Sequence, residues 1–240
     1  MRWSQPRGGP SSVHRLRRRH YLTALGTGVA TAASGCLGET FGGPDEVVLG
    51  QQEDGRDSEH LPHPSYGDPF PTIELPDPIA DTTVATDSPE LEERTIVVTA
   101  FYAFCPAECL LLIRALANVQ SRLLAEGIEE VSVLAITFDP ERDTASKLEK
   151  HGERMGVDFD AGNWHYLRPE SDEAAAAVVE DDLGIVYERD GGTDEMYEFI
   201  HQTVTFLVNP DRYVERVYHA DAPDVERVSG DAERVAAADR

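Results

Sequence analysis

The spacing of apolar and polar positions changes repeatedly along this chain, and each change marks an element. Residues 95–104, TIVVTAFYAF, are an unbroken β-branched and aromatic run, as expected of a strand buried on both faces. Beyond them Leu112, Leu116, Val119 and Leu123 recur at helical spacing as far as Gly127, with Pro106 suited to the first turn. A second apolar run at 131–138, VSVLAITF, predicts another buried strand. A helix over 144–155, a short strand at 164–167 and a helix over 171–182 follow. Asp190-Gly191-Gly192 is a turn signal. Residues 203–208 and 213–218 predict an antiparallel pair around Asn209-Pro210-Asp211, and 223–238 a last helix.

Strand, helix, strand, helix, then a hairpin and a helix is the order of an α/β thioredoxin-like fold. It has a mixed central sheet with helices on both faces. That domain is expected over residues 71–240. Residues 36–70 are rich in Gly, Pro, Asp and Glu with little apolar periodicity, which predicts an acidic flexible tether extended by its own charge.

The first 35 residues hold Arg2, Arg7, Arg15, Arg17, Arg18 and Arg19 and no acidic residue. The Arg18-Arg19 pair precedes a short, weakly apolar run at 25–33, far below the roughly 20 residues that span a bilayer. That order predicts a twin-arginine export signal over 1–35. The run ends in Ala33-Ser34-Gly35-Cys36, which resembles a lipobox and makes Cys36 the expected lipid anchor on the outer face of the cell membrane. The alternative is a disordered basic leader with a chance cysteine. If Cys36 is lipidated, Cys105 and Cys109 are the remaining thiols, facing an oxidising exterior.

Charge removes several partners. Residues 1–35 carry 6 of the 21 basic residues and none of the 45 acidic ones, which leaves 15 against 45, a net charge of −30 beyond them. Nucleic acid and anionic lipid surfaces are repelled by such a chain. The acidic residues are spread from end to end. This favours a solvated surface adapted to very high salt over a single docking face for a cationic partner.

The candidate chemistry lies in FYAFCPAECL. Cys105 and Cys109 stand at a strand end and the first turn of a helix, and residues four apart share a helix face. The helix N-terminus favours thiolate at both. Two thiolates suit Cu(I) or zinc, and the spacing is also open to a redox disulfide between Cys105 and Cys109. His201 stands ahead of the strand expected beside the helix-leading strand. A thioredoxin-type oxidoreductase has a cis-proline there, and this chain has no proline between Glu170 and Asn209. An imidazole facing two thiolates makes a three-coordinate metal site.

Cys105-Pro106-Ala107-Glu108-Cys109, the run Asp139-Pro140-Glu141-Arg142-Asp143-Thr144, and His201 ahead of Phe206-Leu207-Val208-Asn209-Pro210 together resemble the SCO/SenC family over about residues 72–220. These are membrane-tethered, thioredoxin-fold copper-binding proteins that help assemble the CuA centre of cytochrome oxidase. The resemblance implies Cys105, Cys109 and His201 as ligands of copper, Cu(I) with Cu(II) also open. Its expected partner is the copper-receiving subunit of a membrane-bound oxidase, met by a monomer. Ala107 and Leu110 depart from the acidic residue and the proline common at those positions. Glu108 and Asp139 are the expected tuning groups around the metal. Asp143 or Thr144 is expected to cap the following helix.

A metallochaperone leads on these grounds. A thiol–disulfide reductase that keeps the oxidase's copper-binding cysteines reduced is the alternative. A peroxidase is disfavoured, because Arg114 lies nine residues beyond Cys105. Of the other histidines, His60 and His63 fall in the tether, His165 on a strand surface, and His151 and His219 without soft ligands nearby in sequence.

Overall fold

No polar alternation interrupts residues 95–101 or 131–137, and both runs lie in the middle of a sheet with every residue buried. The computed structural model describes residues 46–52, 61–105, 108–193 and 196–238. The expected signal at 1–35, Cys36 and His60 lie outside the described residues.

In chain order the elements are β1 (Glu74–Asp77), β2 (Thr82–Ala85), β3 (Thr95–Phe101), α1 (Glu108–Ala125), β4 (Val131–Thr137), α2 (Ala145–Met155), β5 (Trp164–Leu167), α3 (Asp172–Ala176), which runs on into a π-helical stretch Ala177–Asp182, β6 (Tyr187–Thr193), β7 (Met196–His201), β8 (Thr205–Val208), β9 (Val214–Tyr218) and α4 (Val225–Ala238). The central sheet runs β5-β4-β3-β8-β9. β3, β4 and β5 are parallel, while β8 pairs antiparallel with β3 and β9 antiparallel with β8. This is the mixed sheet of a thioredoxin-like fold.

Register shows what covers each face. Phe101 packs on His151 of α2 and on Tyr166, and α1 packs against both α2 and α4. Phe206 lies opposite Val98, so it points to the face that Phe101 leaves. There it meets Phe70 and His63 at centroid distances of 5.6 and 5.9 Å. Gly184, just after the π-helical stretch, has φ +62°, and a Cβ there would stand 2.0 Å from the Pro62 carbonyl oxygen.

The second face corrects the tether expectation. Leu49, His63, Ser65 and Phe70 are all buried. Buried Glu215 on β9 accepts from Val48 N–H at 2.7 Å and Leu49 N–H at 2.8 Å. A sheet whose helices α1, α2 and α4 share one side needs other chain to dry the opposite side. Residues 46–52 and 61–70 supply part of it despite their Pro- and Gly-rich composition.

Two hairpins were not expected. β1 pairs with β2, and β6 with β7. For the second, only the turn at 190–192 was signalled. Among the described residues no helix is long and apolar enough to cross a membrane.

Candidate metal centre

The site begins with a turn held open by a distant carboxylate. After β3 the chain leaves the sheet, and Ala103 N–H donates to Asp143 Oδ2 at 2.9 Å. Thr137 Oγ1, the last residue of β4, donates to the same oxygen at 2.6 Å. Cys105 N–H donates back to the Tyr102 carbonyl at 3.3 Å. Cys109, in the first turn of α1, donates its backbone N–H to Cys105 Sγ at 3.3 Å. Both cysteines are buried, and no disulfide joins them.

The third group arrives from the unexpected hairpin. His201 is the last residue of β7, with three residues between it and the start of β8. Its Nδ1 lies 3.2 Å from the Gln202 carbonyl oxygen, which can only accept, so that nitrogen carries the proton. Nε2 is left with its lone pair 3.5 Å from Cys109 Sγ. Ligand atoms of Cys105, Cys109 and His201 all lie within 4.8 Å of one another. Two soft sulfurs and one imidazole nitrogen at that separation fit a low-coordinate soft cation.

Electrostatics around the pair differ from the sequence expectation. Both thiols were expected to be drawn toward thiolate by the helix N-terminus. Cys109 instead goes up, first through its hydrogen bond with Cys105, then through burial and the charge of Cys105. One buried negative charge is tolerated there and two repel. A bound cation removes that conflict, so metal uptake and loss of the second proton are coupled. Burial works against charging His201, yet the hydrogen bond toward Cys105, the Gln202 carbonyl and the neighbouring negative charges raise its pKa.

Glu108 Oε2 accepts from Cys105 Sγ at 3.5 Å. Asp139 is engaged otherwise. Its Oδ1 accepts from Tyr197 Oη at 2.7 Å and its Oδ2 from Arg142 Nε at 2.5 Å. Arg142 Nη1 also donates to the Tyr197 carbonyl at 2.8 Å. Its guanidinium carbon stands 3.5 Å from the centre of the Tyr197 ring. These contacts clasp β7, which carries His201, to the loop after β4. Sequence reading missed Arg142 and Tyr197 as positioning residues, although Arg142 lies inside the quoted Asp139–Thr144 motif. Helix capping explains less of the motif than expected. Thr144 is the N-cap of α2 without a side-chain hydrogen bond, and Asp143 serves the cysteine turn.

The other imidazoles among the described residues stand apart from the cluster. His63 and His219 lie 5.0 Å apart, ring to ring, beside a separate cavity of about 360 Å³. His165 Nδ1 is 3.0 Å from Asp77 Oδ2. His151 is buried with Nδ1 3.1 Å from Tyr166 Oη.

A thiol pair at the head of the helix after a buried central strand, joined by an imidazole beside β8, defines a thioredoxin-like protein with a Cys-Cys-His cluster that could hold a metal ion. The SCO1/SenC family profile matches residues 79–237, and the chain belongs to that family. The fold is shared with a SCO1/SenC family lipoprotein from Bacillus anthracis, at TM-score 0.60 and 18% identity, covering 72% of this chain and 96% of that one. Apo Sco1 from Thermus thermophilus matches at TM-score 0.57 and 20% identity, over 76% and 98% of the two chains. Copper-bound ScoI from Arabidopsis thaliana matches at 0.53 and 20%, over 71% and 98%. No match is found among proteins of curated function.

Proposed function

We propose that this protein is a copper carrier. It binds Cu(I) through Cys105, Cys109 and His201 and passes it by ligand exchange to the CuA-bearing subunit of a membrane-bound cytochrome oxidase. The convergence of two thiols and Nε2 within 4.8 Å carries this reading. A three-coordinate ion leaves room for an incoming thiolate to bind before a resident one departs, so transfer needs no free ion. Glu108, within reach of Cys105 Sγ, tunes the charge of the centre. Solved relatives named as copper-bound and as cytochrome c oxidase assembly proteins support the cargo and the recipient. Export through the twin-arginine signal at 1–35 and a lipid on Cys36 would hold the monomeric domain at the outer membrane face, and the Bacillus anthracis relative is named as a lipoprotein.

Metal analysis after Cu(I) titration tests the site. The wild type is expected to hold one equivalent, and Cys105→Ser and His201→Ala to lose most of the affinity. Equal copper in wild type and Cys105→Ser would rule out this centre.

One observation favours a second reading, the thiol–disulfide reductase. The Cys109 N–H aimed at Cys105 Sγ stabilises an attacking thiolate. His201→Ala separates the two, since a reductase keeps its dithiol turnover while a carrier loses its ion.

A further inference from the structure

The chain has 45 acidic residues and only two lysines, and both lysines line the same groove as Cys105. Lys147 and Lys150, one turn apart on α2, line a groove of about 620 Å³ together with Arg154, Phe104, Leu110 and Cys105 itself. Glu153 is the one carboxylate in its lining, and Glu108 stands at Cys105. Phe104 is 48% exposed directly before the ligand cysteine, and Leu111 on α1 is 56% exposed. Two cations hold the Phe104 ring, with Lys147 Nζ 4.6 Å and Arg142 Cζ 5.0 Å from its centre. Arg114 of α1 reaches the Arg154 carbonyl across the rim at 3.5 Å.

We infer that this groove docks an acidic protein face carrying one apolar side chain, and that the face belongs to the partner that exchanges metal with Cys105. The chain's formal net charge of −24 repels such a partner overall. A cationic island with an exposed aromatic gives the encounter a favoured orientation, with charge setting approach and register and the ring supplying the anchor. Because the groove opens onto Cys105, an anchored partner brings its own ligands to the sulfur that must be exchanged. The purpose of this docking rests on the copper-carrier reading, but its test does not.

The probe is a fluorescein-labelled peptide of glutamates flanking a Leu-Phe pair, compared with its glutamine twin by anisotropy on the metal-free protein. The glutamate peptide is expected to bind at least about tenfold more tightly at low salt, an advantage that salt erases. Lys147→Glu/Lys150→Glu should lower it to the level of the glutamine twin while Cu(I) uptake stays at the wild-type level, which also shows that the double variant is folded. Equal binding of the two peptides, or indifference to the double substitution, overturns the inference. So does a concentration-dependent dimer abolished by the double variant, or binding to anionic phosphatidylglycerol vesicles without peptide preference. Peptide discrimination in a chain that takes up no copper would leave the docking face standing and remove the copper reading. Normal copper uptake without discrimination would do the reverse.

Discussion

His151 and Asp143 are buried titratable groups on or just before α2, and they bias stability in opposite directions as pH falls. Burial, with a smaller push from Arg154, lowers the His151 pKa to about 4. The folded state therefore refuses a proton that the unfolded chain accepts from pH 6.5 downward, and stability is lost between 6.5 and 4, by about 3 kcal/mol at most. Asp143 is raised to about 6, chiefly by burial, against the hydrogen bonds from Thr137 and Ala103 that favour its charged form. Its contribution is fully present below pH 4 and is lost as pH rises through 6. His151→Gln keeps a partner for the Tyr166 hydroxyl and cannot charge. It is expected to lose less stability than the wild type between pH 7 and 4.5. Asp143→Asn, which keeps an acceptor for Ala103 and Thr137, should lose more over the same range. Urea midpoints at several pH values check both. An acid limb unchanged by His151→Gln would show that the imidazole reaches water before it titrates.

At the scale of elements, His201 is placed by a hairpin and Cys105 by a turn, and each is pinned by the loop after β4. Tyr197→Phe removes the hydroxyl that Asp139 accepts from at 2.7 Å and leaves the ring under Arg142. Looser seating of β7 should cost about tenfold or more in Cu(I) affinity, as loss of a supporting hydrogen bond around a metal does elsewhere. Cys105 and Cys109 should still react in a thiol count as in the wild type, so competition with a Cu(I) chelator and that count separate positioning from misfolding. Glu215→Ala orphans the Val48 and Leu49 amides and removes one of the two acceptors of Asn209 Nδ2, the other being the Glu46 carbonyl. It should cost about 2–4 kcal/mol in chemical denaturation. These clasps explain what was legible in the sequence. Strands β3 and β4 and helices α1 and α2 announce themselves by period, and the two cysteines and His201 by their place relative to them. β6 and β7 did not, because a hairpin with an exposed arm such as Glu188-Arg189-Asp190-Gly191 has no apolar alternation. The Asp139–Arg142–Tyr197 contacts join residues 58 apart, which no local pattern reports. Residues 46–52 and 61–70 were read as tether because Leu49, His63 and Phe70 are too sparse to form a periodic face. Each is buried only because the sheet has a second side to cover.

Across the whole molecule, salt should act on fold and docking with opposite signs. A formal net charge of −24 makes self-repulsion a cost of the compact state that the unfolded chain escapes. The Debye length falls from about 10 Å at 0.1 M to about 3 Å at 1 M, so carboxylates on neighbouring surface positions cease to feel one another within that interval. Thermal midpoints should therefore climb steeply between 0.1 and 1 M NaCl and much less beyond. A rise that continued evenly to higher salt would instead reflect exclusion of the salt from apolar surface. The contact made through Lys147 and Lys150 depends on unscreened attraction and weakens over the same interval. Lys147→Glu/Lys150→Glu should consequently lower the midpoint at 0.1 M by adding like charge near Glu153 and converge on the wild type by 1 M. Thermal denaturation of both chains across the salt series measures this. A gap between them that persists at 1 M would mean that the lysines contribute packing to α2 and not only charge.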